Sequence, residues 1–207
     1  MFIGHFAVGL AAKRLTPTVS LAVWFLAVQW LDTVWPVFIL TGLEHVRIVH
    51  VANPFLRLEF IDYPFSHSLV AAVVWGLLFA GGWSLLMGRR GAAPLLFLGV
   101  VSHWLLDVLS HRPDMPVLLH GPYLGLGLWN SPALTIAIET AMFAAGIAVY
   151  AAAKRPRRSM WALLIVLFAL YLGSIFGPPP PNVSALGMTA LIGTAIILPW
   201  SWWADRE

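Results

Sequence analysis

Apolar runs of about 20 residues follow one another through nearly the whole chain, which leaves it few ways to fold. A run of that length crosses the hydrocarbon core of a bilayer as an α-helix, where every backbone N–H and C=O finds a partner without water. Counting the runs predicts helices near 18 to 41, 66 to 87, 93 to 111, 131 to 153, 159 to 177 and 184 to 203. The expected fold class is all-α, a polytopic membrane helical bundle of six spans. Before them, Phe2 to Ala12 is apolar, but at about 1.5 Å per residue it reaches only halfway through the membrane. Residues 1–14 are therefore expected to form a short re-entrant or interfacial helix. They make a poor signal peptide, because Lys13 and Arg14 follow the apolar stretch.

Composition closes the other options. The chain is 60% hydrophobic and 10% charged, against about 25% charged residues in an ordinary soluble domain. Residues 1–207 read as one transmembrane domain, with a site-bearing core over 15–153 and two scaffold helices over 154–207. The absence of cysteine excludes disulfides, thiolate zinc sites and a cysteine nucleophile, so any metal must be held by imidazole and carboxylate. The basic residues fall in short loops between spans, and no nucleic-acid partner is expected. Lys13, Arg14, Arg89, Arg90, Lys154, Arg155, Arg157, Arg158 and Arg206 collect on one side, against Arg47, Arg57 and Arg112 on the other. The positive-inside rule then puts both termini in the cytoplasm. Trp200, Trp202 and Trp203, beside Asp205 and Arg206, read as an interfacial aromatic belt. Gly81, Gly82, Gly99, Gly146 and Gly173 read as points of close helix packing.

Against this apolar background stand His5, Asp32, His67, His103, Asp107, His111 and Glu139. Ionisable groups are costly at membrane depth, so several in one small chain point to a functional site. His103, Asp107 and His111 are spaced i, i+4 and i+8 and share one helix face. Measured from the cytoplasmic side they lie about 15, 21 and 27 Å along their helix, Asp32 about 21 Å and Glu139 about 18 Å. A re-entrant N-terminal helix holds His5 near mid-depth, and His67 sits at the outer mouth of its span. Separate segments can thus deliver ligands to the outer half of one bundle, as in bundle-core metal sites. Nitrogen and oxygen donors of this kind suit Zn2+, with Mn2+ or Fe2+ less well matched.

Several of these residues have a structural use open to them as well. Asp32 could satisfy backbone groups near Trp35-Pro36, where proline disturbs the helix. Arg112-Pro113-Asp114 reads as a helix stop with a local ion pair, and Glu139 could pair with Arg112. His45, His50 and His120 lie in the outer loops and stand outside the core set.

Gly4-His5-Phe6-Ala7-Val8-Gly9, Asp32, Ser66-His67-Ser68 and the block from Ser102-His103 to His111-Arg112-Pro113-Asp114 together resemble bacterial inner-membrane proteins described as membrane-bound metal-dependent hydrolases. The likeness covers about the first two thirds of the chain. The ligand order His, Asp, His, HxxxD, His and a carboxylate is more distantly similar to zinc-dependent phospholipases C and zinc-dependent single-strand nucleases. That likeness implies Asp107 as a bridging carboxylate, His67 and His103 on one metal, His111 on another, and His5, with the nearby amino terminus, on a further one. Asp32 is implied as a ligand or as the base that orients water. Those enzymes carry a further HxxxE element where this chain has Thr135 to Glu139, which points to one or two ions.

The expected function is metal-dependent hydrolysis of a phosphoester or ester in a membrane lipid or lipid-linked substrate, in the bacterial inner membrane and on the extracytoplasmic side of the bilayer. His5, Asp32, His67, His103, Asp107 and His111 are the expected metal ligands. Asp32 or Glu139 is the expected general base, and Arg112 is expected to neutralise a phosphate oxygen. The alternatives are a divalent-metal transporter or channel using the same ligands, and a non-catalytic membrane partner protein. Oligomeric state stays open.

Overall fold

Residues 1–88 and 90–206 are described by a computed structural model. Helix α1 (Ile3–Leu15) is too short to span and too apolar to lie in water, and it is buried inside the bundle, with Ile3, His5 and Leu10 fully covered. Of the two expectations for this segment, the inserted helix is the one observed.

The predicted span over 18 to 41 is broken. α2 (Leu21–Val28) and α3 (Trp30–Thr41) meet at Gln29 with a bend of 56°. Both halves are apolar enough together to read as one span, although α3 is the more polar of the two. Pro36 then leaves the Asp32 carbonyl without the amide that would normally reach back to it.

Two stretches read as loops hold antiparallel ribbons. β1 (His45–Ile48) pairs with β2 (Leu58–Asp62), with an irregularity beside His45. α4 (Pro64–His67) is a single turn, and α5 (Leu69–Met87) starts after Ser68, whose hydroxyl accepts from the Ala71 amide at 3.0 Å. α6 (Ala93–Ser110) leads to β3 (Met115–Leu118), which pairs with β4 (Gly121–Leu124). Three long helices complete the chain: α7 (Pro132–Ala153), α8 (Arg158–Phe176) and α9 (Val183–Arg206).

Among the described residues, five helices, α5 to α9, are long and apolar enough to cross a membrane, and the bent α2–α3 pair makes a sixth if it counts as one span. Polarity is arranged inside out. Leu77, Leu85, Leu86 and Ile165 face outward, whereas His103, Asp107, Thr135 and Glu139 are buried. A chain with this surface belongs in lipid.

Close packing is confined to some of the glycines expected to provide it. A Cβ on Gly146 would lie 2.6 Å from the Ala7 carbonyl oxygen, so α7 meets α1 backbone to backbone there, and Gly99 faces the Trp24 ring at 3.2 Å. Gly81, Gly82 and Gly173 have open space beside them, which corrects the sequence expectation.

At one end of the bundle Lys13 is buried, with Nζ 2.7 Å from Asp205 Oδ2 and donating also to the Pro17 and Val19 carbonyls. Asp205 in turn accepts from the Leu21 amide at 3.0 Å and the Tyr150 hydroxyl at 3.1 Å. One carboxylate thus ties α1, α2 and α7 to α9. Trp202 and Trp203 remain exposed beside it, with Arg206 4.3 Å above the Trp202 ring.

Candidate metal centre

Three segments deliver four polar side chains to one point in the bundle. Asp32 comes from the first turn of α3, His67 from the end of α4, and His103 and Asp107 from one face of α6. His67 Nε2 lies 3.5 Å from Asp32 Oδ1 and 3.8 Å from Asp107 Oδ2. His103 Nε2 lies 3.7 Å from Asp32 Oδ1 and 3.1 Å from Asp107 Oδ2. Tetrahedral ligands about 2.0–2.2 Å from zinc stand about 3.3–3.6 Å apart. The four separations scatter around that value; among the described residues two groups have ligand atoms close enough together to hold a cation, Asp32, His67 and His103 in one and His5, His103 and Asp107 in the other.

Both imidazoles are fixed through their other nitrogen. The bend at Gln29 presents the Val28 carbonyl, which a straight helix commits to the Asp32 amide, to His103 Nδ1 at 2.7 Å. A carbonyl only accepts, so Nδ1 carries a proton, and in the neutral imidazole the lone pair is then on Nε2, which faces the carboxylates. His67 Nδ1 lies 2.7 Å from Ser66 Oγ, and that hydroxyl donates to Glu44 Oε2 at 2.5 Å. A hydroxyl has one proton, so Ser66 accepts from His67, and the neutral ring again has its lone pair on Nε2. Metal-bound histidines are oriented in this way.

Asp107 divides its oxygens. Oδ2 faces the two locked imidazoles, while Oδ1 faces the amine of Met1 and His5 Nε2, the latter at 3.2 Å. The His5 ring is stacked on His103, with centroids 3.7 Å apart and planes 3° from parallel. In-plane lone pairs on two parallel rings point past each other, so His5 and His103 in this arrangement cannot both coordinate one ion well. His5 therefore belongs to the opposite side of Asp107.

The other expected site residues are placed differently. His111 ends α6 and joins neither cluster of cation-holding atoms; its Nδ1 lies 3.1 Å from Asp114 Oδ1 and its ring 4.1 Å from that of Trp129. The Tyr63 hydroxyl donates to the same Asp114 oxygen at 3.1 Å, and burial, followed by the Asp114 carboxylate, pushes the phenol up, so it stays a neutral donor. Glu139 accepts from the Phe2 and Gly4 amides at 2.8 and 3.3 Å and so receives the start of α1. Arg112 is exposed, and among the described residues no ion pair joins it to Glu139 or Asp114. Thr135 is buried and donates to the Leu128 and Ser131 carbonyls, so it is spent on the turn into α7. Of the loop histidines, His45 pairs with Asp62 at 2.7 Å on the outer ribbon, and His50 and His120 are exposed.

Glu44 is the site residue that sequence reasoning missed. It is 1% exposed and its Oε1 accepts from the Phe65 and Ser66 amides, both at 2.8 Å. Burial pushes its carboxyl up, against the bonds from Ser66 that pull it down. A signal did exist: α4 begins at Pro64 behind Tyr63, which cannot cap it, so its first amides needed an acceptor from elsewhere.

Asp32 is the open member of the set. Its side chain is 39% exposed, whereas those of His67, His103 and Asp107 are 4%, 0% and 4%. Anything that reaches the cluster from outside meets Asp32 first. Comparison of the chain with family models, curated proteins and solved structures gave no match.

Proposed function

We propose that this protein is a membrane-embedded metal-dependent hydrolase that cleaves a phosphoester or ester in a lipid or lipid-linked substrate, with Zn2+ as the cation. The observation that carries the reading is the pair of histidines whose Nδ1 atoms are engaged by Val28 and Ser66, leaving both Nε2 atoms facing Asp32 and Asp107. Two neutral imidazoles and two carboxylates suit zinc, and the Gly4–Gly9, Asp32, Ser66–Ser68 and Ser102–Asp114 segments add the resemblance to membrane-bound metal-dependent hydrolases. Zinc supplies Lewis-acid polarisation of a substrate oxygen and lowers the pKa of a water to about 7.

His67, His103 and Asp107 would hold the cation and leave a fourth position open. Asp32, the accessible carboxylate, would accept a proton from water at that open side. Glu139 is committed to the amides of α1 and serves as a support. A second ion would lie on the Oδ1 side of Asp107, where His5 is the side chain available. The distribution of basic residues supports a cytoplasmic location for both termini and a site toward the extracytoplasmic leaflet of the inner membrane, where an amphiphilic substrate resides.

Elemental analysis of protein purified without chelator, paired with hydrolysis of a fluorogenic phospholipid, tests the proposal. Wild type should retain stoichiometric zinc and turn over, and His103→Ala and Asp107→Ala should lose both. Wild-type hydrolysis by a zinc-free variant would eliminate the mechanism.

One observation favours a second reading. The broken α2–α3 pair sets Asp32 just beyond the break, and interrupted spans are where transporters bind ions. Zinc flux into proteoliposomes, lost in Asp107→Ala, would establish transport in place of hydrolysis.

A further inference from the structure

Glu44 has two tasks in the structure, and one of them reaches the cation cluster. Its Oε1 takes the two amides that open α4, a structural use. Its Oε2 takes the Ser66 proton, and that direction of donation sets the proton on His67 Nδ1. The order Glu44, Ser66, His67 is a hydrogen-bond relay with fixed polarity: a carboxylate can only accept, so every donor behind it points toward it. We infer that Glu44 is a positioning residue for the cation cluster, acting through Ser66 to hold His67 in the tautomer whose Nε2 faces Asp32 and Asp107. The inference rests on the reading of those four residues as a cation site.

Glu44→Gln separates the two tasks. The glutamine carbonyl can keep the α4 amides, so the helix start survives. Its NH2 replaces Oε2 and donates to Ser66 Oγ, which turns the hydroxyl proton toward His67 Nδ1. The imidazole must then accept at Nδ1 and carry its proton on Nε2, the atom that faces the cation. A residue that only capped α4 would show no such reversal.

The test uses the full chain in detergent micelles with 15N-labelled histidine, and zinc alone as the probe. In metal-free wild type the His67 signals should be those of the Nδ1–H tautomer; in Glu44→Gln they should move to Nε2–H. Zinc affinity, read by competition with a chromogenic chelator, should fall about 10- to 100-fold. Ser66→Ala keeps its own backbone amide on Glu44 and provides a second variant if Glu44→Gln does not fold; it should lose affinity to the same extent. An unchanged His67 tautomer in Glu44→Gln overturns the inference, as does a reversed tautomer with wild-type zinc affinity. A reversed tautomer in a protein that binds no zinc even as wild type supports the relay and counts against the cation reading alone.

Discussion

The imidazoles of His67 and His103 differ from ordinary core histidines in that each spends one nitrogen on a defined acceptor and keeps the other for a carboxylate. At the opposite end, Lys13 and Asp205 form a different kind of buried pair, in which each carboxylate oxygen of Asp205 has a donor. The contrast separates a cluster suited to binding from one that fastens. Removing one member of a buried pair leaves an uncompensated charge and costs about 3–5 kcal/mol. Lys13→Ala should therefore lower unfolding stability in micelles by that order while leaving zinc content intact. A double-mutant cycle with Asp205→Ala should return a coupling energy well above that of a surface pair, which is about 0–1 kcal/mol. At this level the sequence was informative where a polar group interrupted an apolar run, as with His103 and Asp107. For Glu44 it offered only the uncapped helix start at Pro64, which does not name its acceptor, because Glu44 lies in a loop where acids are unremarkable and is joined to Ser66 across the β1–β2 ribbon.

Among the elements, the spans were legible because about 20 apolar residues have essentially one stable form in lipid. The bend at Gln29 was not, since the two halves together still read as one apolar run and the Val28 carbonyl meets His103 only in the folded bundle. The ribbons were missed for another reason: His45–Ile48 and Leu58–Asp62 alternate too briefly to stand out beside helices five times their length. Helix contact also follows from particular neighbours more than from residue type. A Cβ on Gly146 would run into the Ala7 backbone while one on Gly173 would meet nothing within 4 Å outside its own helix, yet both are glycines in apolar helices. Gly146→Ala should force α7 away from α1 and cost about 1–3 kcal/mol as an overpacked contact. Gly173→Ala should leave thermal stability in micelles unchanged or slightly higher, since alanine favours the helix by about 1 kcal/mol over glycine.

For the molecule as a whole, the inside-out distribution of polarity fixes the solvent, and the loop charges predict the direction of insertion. The lack of any cysteine makes that direction directly measurable. Single cysteines at His120 and at Arg157 sit in loops at opposite ends of spans. In intact cells a membrane-impermeant maleimide should label the His120→Cys protein and spare the Arg157→Cys protein until the membrane is opened. The reverse pattern would put the cluster on the cytoplasmic side and redirect the search for its substrate. The placement of α1 bears on biogenesis. Its first amides are received by Glu139 and its Lys13 by Asp205, residues that are translated long after it. The four residues of the cluster lie on α3, α4 and α6, upstream of both carboxylates, so the residues of the site are all translated before the partners that complete the seat of α1.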